Sequence, residues 1–382
     1  MSTAEITSIR PFDPVAVARR LGPTFAGRAA ACDESDAFVA ENYADLKASG
    51  LIEAGVPTEL GGHGVEIAAL CETLKELAHH CGSTALAFSM HTHQVAIPAW
   101  RWRHQKATPV EPLMKRVAAE RIVLLSSGGS DWINGSGKAE RVEGGFRITA
   151  RKIFSSGSPA GDLLMTGAVY DDPETGPMVL HFGLPMTSPN VSILPTWKTM
   201  GMRATASNDV MVDGHVVPDA GVALKRKQGE WHMIFYVTTM LAFPLIYSAY
   251  LGVAEKAVDI AIDMAKKRAS NPHVVSVVGR MATELRAAQY AHAAMIACAE
   301  RGEPGAATVN EIMIGRSLVA RHALAAVELA MEAAGGAAFY RDNGLERCFR
   351  DIQGARYHPM QTGPQQEFAG RTALGLDTAT TF

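Results

Sequence analysis

No stretch of this chain is rich in charge of one sign, and its few cysteines form no pattern. The formal net charge is −3, so nothing argues for nucleic acid or an anionic membrane surface as a partner. Cys32, Cys71, Cys81, Cys298 and Cys348 are scattered, with no CxxC or Cys/His ligand spacing. That argues against a structural zinc site, and no metal ligand set is expected. An odd count without a framework fits a reducing compartment, so a cytoplasmic location is expected. The first residues include Glu5, Arg10 and Asp13 and no apolar core of signal-peptide type. No internal repeat or low-complexity tract is present. Long apolar runs are scarce as well, with one exception. Residues 231–254 contain no Asp, Glu, Lys or Arg, and a membrane helix needs about 20 such residues. Tyr236, Tyr247, Tyr250 and Pro244 interrupt the run, which divides into two patterns at the proline. A fully buried helix is the better reading, and no membrane span is expected.

What is present is ordinary for a globular protein: 382 residues, 47% hydrophobic and 20% charged. The length suits two or three domains. Residues 14–120 read as helical. Phe38 to Ala48 leads into a Gly/Pro-rich break at 55–64, and Ile67, Leu70, Leu74 and Leu77 then share one helical face from Glu66 to about His80. A further helix begins near Ser83 as N-cap. From about 121 to 225 the period changes to that of strands. One hairpin turns at Glu143-Gly144-Gly145, and a second strand pair flanks the turn at 171–176. Asp209–Val212 and Val216-Val217 close the block before Pro218. From Phe243 to Gly335 helical spacing returns, with breaks at Asn271-Pro272 and Gly302–Gly305 and a stop at Gly335-Gly336. The expected units are therefore 1–120 helical, 121–225 β and 226–382 helical. A single β block between two helical blocks is an uncommon order.

Two short segments of the β block carry the chemistry. RIVLLSSGGSD (121–131) is an apolar strand ending in hydroxyls and glycines, and RKIFSSG (151–157) sets one aromatic ring beside hydroxyls. A flavin needs an apolar or aromatic surface for its ring system and hydrogen-bond donors near its polar edge. Ser126, Ser127 and Ser130 can donate from side chains, and Gly128-Gly129 lets backbone N–H groups approach closely. These segments resemble the acyl-CoA dehydrogenase family. So do Gly50-Leu51-Ile52 with Gly61–Gly64, Ser83–Ala87, Gly201-Met202-Arg203, Gly335-Gly336 and Arg350-Asp351, in family order over about 40–360. The resemblance implies an α+β multidomain fold: an N-terminal helical domain, a middle β-barrel or sandwich domain and a C-terminal four-helix bundle. It also implies FAD, with FMN as an option, and a homotetramer or dimer. Phe154 would pack on the flavin, Ser155 and Ser156 would follow it at the ring's edge, and Ser126, Gly129 and Ser130 would face it from the other segment. Arg268, Gly335 and Gly336 match positions that complete the cofactor's diphosphate and adenine in a neighbouring subunit. Glu332 stands beside them, where an acidic group is unfavourable to a diphosphate.

The family reaction is α,β-dehydrogenation of an acyl-CoA thioester, passing electrons to a separate acceptor. It needs a desolvated carboxylate to take the α-proton. The position eight residues after Arg350-Asp351 is Pro359, and the alternative position on the first C-terminal helix is near Ser248, so neither holds an acid. Glu367 is the nearest downstream carboxylate. A branch of the same superfamily lacks the glutamate and uses reduced flavin, often from a flavin reductase, with oxygen to oxygenate small molecules. For that branch His358 is the expected catalytic residue, and His91 and His93 are further histidines titrating in a useful range. Dehydrogenation is the first expectation, oxygenation the alternative, and a flavin-binding protein without catalysis the third class.

Overall fold

A computed structural model describes residues 12–382; for Ser130 it describes the backbone only. Glu5 and Arg10 lie outside the described residues. The chain opens with five helices: α1 (Pro14–Ser35), α2 (Ala40–Ser49), α3 (Ile67–His80), α4 (Gly82–Gln105) and α5 (Glu111–Glu120). Asp13 caps α1 by accepting from the Ala16 N–H at 3.0 Å, satisfying one of the amide groups a helix start leaves free. Helix α4 begins one residue before the expected cap at Ser83, with Cys81 at the N-cap and no side-chain cap bond. Gly82 lies so close to Val253 that a Cβ there would come within 2.7 Å of it. Packing against a later helix, not capping chemistry, sets this start.

Eight strands follow: β1 (Leu124–Ser126), β2 (Lys138–Val142), β3 (Gly145–Ser155), β4 (Leu163–Asp172), β5 (Gly176–Pro185), β6 (Val191–Leu194), β7 (Asn208–Pro218) and β8 (Val222–Lys227). They form one sheet in the order β6-β7-β3-β2-β4-β5-β8, with β1 beside β4 in parallel. Both expected hairpins are present, β2–β3 and β4–β5. Two details differ. The segments 209–212 and 216–217 are one strand, because β7 continues along β3 through a bulge at Gly214. After Pro218 the chain forms β8, which pairs with the middle of β5. Its sequence, VALKRK, reads as polar, yet Arg226 points inward and is buried.

The last block holds α6 (Met233–Lys266), α7 (Pro272–Arg301), α8 (Ala306–Ala334), α9 (Leu345–Ile352) and α10 (Thr362–Ala373). The charge-free run does not divide at Pro244; α6 passes through it. A mid-helix proline removes one amide donor and costs about 3 kcal/mol in an exposed helix. The Pro244 carbonyl, a different group from the acceptor that loses its donor, is bonded by Ser248 Oγ and His292 Nε2, each at 2.9 Å. Helices α3, α4, α7 and α8 pack around α6. It is long and apolar enough to cross a membrane, but most of that apolar length is buried inside the protein, as expected for the central helix of a core.

The three blocks are joined by the short motifs quoted above. A Cβ on Gly201 would overlap the Arg350 carbonyl oxygen at 2.1 Å. The Asp351 carboxylate accepts from the Met202 N–H, and Arg350 forms a bidentate pair with Asp33 of α1 at 2.6 and 3.0 Å. Arg203 pairs with Asp36 just beyond α1 at 2.6 Å. Burial and the nearby Asp33 charge push the Asp351 carboxyl up to about 6, opposed by the Met202 N–H. These residues bind the sheet to the first and last helical blocks and leave a cavity at the seam.

Candidate active site

A cavity of about 460 Å³ lies between α4, α6 and the sheet, within the usual range for small-molecule sites. Most of its wall is apolar, including Met90, Ile97, Leu163, Phe243 and Ile246. Polar groups converge from several parts of the sequence, among them His93 and Arg101, Ser126 with Ser127, His181, and His358.

His358 sits on the loop after α9. Its Nε2 is 2.7 Å from the Tyr250 hydroxyl, while its carbonyl accepts from Arg316 at 2.8 Å. The buried Arg316 also reaches the Ala355 and Arg356 carbonyls at 3.4 and 3.5 Å and lies 5.4 Å from the Tyr247 ring centre. It thus fixes the loop through backbone acceptors. Desolvation, helped by the Arg316 cation, pushes the His358 imidazole down to about 3. The ring is a neutral donor and acceptor at any ordinary pH.

Two residues apart on α4, His91 and His93 part company. His91 donates from Nε2 to the Ile52 carbonyl at 2.9 Å and accepts the Leu124 N–H at Nδ1, 3.0 Å away. Both nitrogens are spent, one tying α4 to the segment after α2 and the other tying it to β1, so His91 is a structural histidine. His93 uses Nδ1 on the Ser89 carbonyl at 3.0 Å and has Nε2 3.3 Å from Gln94 Nε2, and it lines the cavity. Burial pushes each ring down to about 4.

Among the described residues the cavity wall holds one carboxylate, Asp131, and it is fully engaged. Ser127, Thr166 and Ser136 donate hydroxyl bonds to it, and Lys152 Nζ lies 2.9 Å from Oδ1. Glu367 does not approach the site. It is exposed on α10 and lies 3.7 Å from Arg371, so it is not the missing base. Ser248 is buried against His292 at 3.0 Å, and Pro359 lies in the wall.

The end of β1 and the end of β3 meet beside the cavity. A Cβ on Gly128 would overlap Phe154 Cβ at 2.5 Å, and one on Gly129 would touch Pro359 at 3.1 Å. The glycine pair is therefore packed between β3 and the His358 loop. The Gly128 N–H donates to the Ile153 carbonyl at 3.0 Å and is not free for a ligand. Phe154 adopts a left-handed backbone, φ 59°, costly for an aromatic residue. Its ring is half exposed and meets Trp197 edge-on at 5.9 Å. Nothing in the sequence singled out Trp197, which comes from the irregular chain between β6 and β7. Ser155 Oγ is buried without a hydrogen-bond partner among the described residues. Ser156 Oγ lies 2.7 Å from Ser207 Oγ, which is 2.7 Å from Thr205 Oγ1. Ser126 donates to the Ser127 carbonyl at 3.2 Å. A half-exposed aromatic ring with an orphaned hydroxyl beside it fits a flat heteroaromatic cofactor.

Family models for the acyl-CoA dehydrogenase N-terminal domain and C-terminal domain match residues 16–115 and 245–362, together more than half of the chain. The protein belongs to the acyl-CoA dehydrogenase family. The amino sugar nitrososynthase RubN8 of Streptomyces rubradiris is 25% identical over 93% of this chain and 88% of its own. The pigment production hydroxylase of a Rhodococcus species is 26% identical over 93% and 95%. The putative acyl-CoA dehydrogenase YdbM of Bacillus subtilis is 26% identical over 89% and 91%. Among solved structures, KijD3 in complex with FMN and a dTDP-linked amino keto sugar superposes with a TM-score of 0.86 at 24% identity. It covers 99% of this chain and 97% of that one. The helical, sheet and helical blocks of this acyl-CoA dehydrogenase family member are those of the family fold.

Away from the cavity, Arg268 and Gly335 are adjacent although 67 positions apart. The guanidinium donates to the Ala333 carbonyl, and a Cβ on Gly335 would lie 3.3 Å from it. Gly335 has φ 68°, which a side chain would strain, and no neighbour crowds Gly336. Glu332 is paired with Arg280 at 3.0 Å and lies 3.8 Å from His273 Nε2. Its charge is compensated from outside, which lessens the objection to an anion at Arg268.

Proposed function

We propose that this protein is a flavin-dependent monooxygenase that uses reduced flavin and oxygen to oxygenate a small molecule. The carrying observation is that the cavity offers no free carboxylate for α-proton abstraction and presents neutral imidazoles instead. Relatives that are a nitrososynthase and a hydroxylase support the same reading; a putative dehydrogenase relative speaks for the other. Phe154 and the Ser126, Ser155 and Ser156 hydroxyls would hold the flavin ring, and Arg268 with Gly335 and Gly336 a diphosphate if the cofactor is FAD. When bound and reduced, the flavin supplies the two electrons that let one oxygen atom enter the product and the other leave as water.

The chain's own residues supply the rest. The apolar wall excludes water, which limits wasteful reaction of the reduced cofactor. Tyr250 orients His358 through Nε2, leaving Nδ1 to hold or pass a proton at the cavity. A free flavin reductase is the expected electron donor, and a second copy of the chain is expected to cover the exposed Arg268–Gly335 face.

An oxygen test separates this reading from dehydrogenation. Flavin-loaded protein, anaerobic, is expected to keep its absorbance with acyl-CoAs of any chain length. After chemical reduction it is expected to reoxidise within seconds of mixing with air. Bleaching by any acyl-CoA, or reduced flavin that survives air for minutes, overturns the proposal. Phe154→Ala is expected to lower the flavin retained through purification at least severalfold, measured by absorbance per protein. Retention equal to wild type would remove Phe154 from the flavin site.

A further inference from the structure

One wall of the cavity carries an arrangement that neither flavin binding nor the His358 chemistry uses. His181 on β5 and Arg226 on β8 meet diagonally across the strand pair, with Arg226 Nε 3.0 Å from His181 Nε2. Arginine only donates, so Nε2 must be the acceptor, and the ring's one proton sits on Nδ1. Burial and the Arg226 cation, pushing the imidazole down to about 3, keep it in that state. Nδ1 has no hydrogen-bond partner among the described residues, and the ring forms part of the cavity wall. Gly167 keeps the space beside it open, since a Cβ there would lie 3.4 Å from Nδ1. The site thus contains a neutral donor whose tautomer is fixed from behind.

The charge behind that donor is positive. Arg226 is buried and meets no carboxylate among the described residues; its charge rests on the Ile133 carbonyl at 2.7 Å, the Lys227 carbonyl at 3.1 Å and the Trp132 carbonyl at 3.4 Å. It also lies over the Phe235 ring, 4.5 Å from its centre. Nearby, Lys152 is matched by Asp131. Two buried cations against one carboxylate, with Arg101 also in the lining, leave an excess positive charge in a wall of low polarity, where such fields are strong.

We infer that His181 is a specificity-determining residue, and that the cavity selects apolar ring compounds carrying an oxyanion, which accepts from the His181 Nδ1–H. The inference rests on the cavity being the substrate site, but not on the oxygen chemistry. Binding therefore tests it separately. Flavin-loaded protein is titrated calorimetrically with 4-methylbenzoate and with p-xylene, two probes of matched shape that differ by the carboxylate. A charge-assisted hydrogen bond predicts about ten- to hundredfold tighter binding of the carboxylate. His181→Phe is expected to abolish that preference while p-xylene affinity stays within about twofold. His181→Gln, which retains an N–H donor, is expected to restore part of it. Because Arg226 loses its acceptor in the Phe variant, His181→Leu serves as the second donor-free variant if the first fails to fold by circular dichroism. Equal affinities in wild type, binding of neither probe, or a preference that survives in the folded donor-free variant would each overturn the assignment. Failure of the oxygen test with the binding preference intact would sink the oxygenase reading alone.

Discussion

Replacing His358 with alanine is expected to lower oxygen-coupled kcat/KM by about a hundredfold or more, the usual scale for losing a positioned acid or base. The flavin reoxidation rate in air should change far less, because His358 acts on a proton and not on the electrons. Product formed per oxygen consumed separates the two, with lost coupling appearing as hydrogen peroxide. Tyr250→Phe keeps the ring and removes only the orienting bond to Nε2, so a smaller loss of roughly tenfold is expected. The pH dependence adds a further check. His358 is held down to about 3 by desolvation and Arg316, so it remains neutral above about pH 4 and adds no inflection to kcat/KM between pH 5 and 8. An inflection near 6.5 that disappears in the alanine variant would show that the ring is charged in the working enzyme. Wild-type coupling in His358→Ala would dismiss the catalytic role.

Lys152→Met is expected to destabilise the sheet block by about 3–5 kcal/mol, the scale of breaking a buried ion pair from one side. Lys152 is wholly enclosed, and its ammonium bonds Asp131 Oδ1 at 2.9 Å, the Ser136 carbonyl at 2.7 Å and the Gly167 carbonyl at 2.5 Å. It thereby ties the turn after β1 to β4. Methionine fills similar volume but strands the carboxylate and two carbonyls. Desolvation lowers the lysine pKa and the Asp131 charge opposes it, so the pair is the main compensation for burying the ammonium. Adding Asp131→Asn removes the stranded charge, and the double variant is expected to recover a large part of the loss. Calorimetric unfolding of the two single variants and the double variant gives the coupling directly. Additive losses would mean that the pair contributes nothing specific.

Glu367 shows how far linear proximity can mislead. It is the nearest carboxylate downstream of the expected base position, yet α10 turns it to solvent. His91 and His93 show the same limit over a shorter span. Two residues on a helix differ by about 200° in direction, so one was bound to leave the face shared by the other. Which of them reached the cavity depended on where β1 packed. The local rules that make Pro244 a break and close the named strands before Pro218 describe a chain segment in water. In this fold, the packing of α3, α4, α7 and α8 keeps α6 continuous through the proline, and β5 with the Trp132–Ile133 turn receives the buried Arg226.

By itself the sequence determined the order of helical, sheet and helical blocks, since periods of 3.6 and 2 are local properties that neighbouring side chains reveal. It also determined both hairpins, whose turns are local, and the family, through short motifs in order. The tertiary structure alone decided the site's chemistry. His358 is joined to Tyr250, His181 to Arg226, and Asp131 to Lys152 across 21 to 108 positions of chain. Nothing local encodes such pairs; strand pairing and helix packing choose them. Whether each side chain is charged, spent or free follows from that choice.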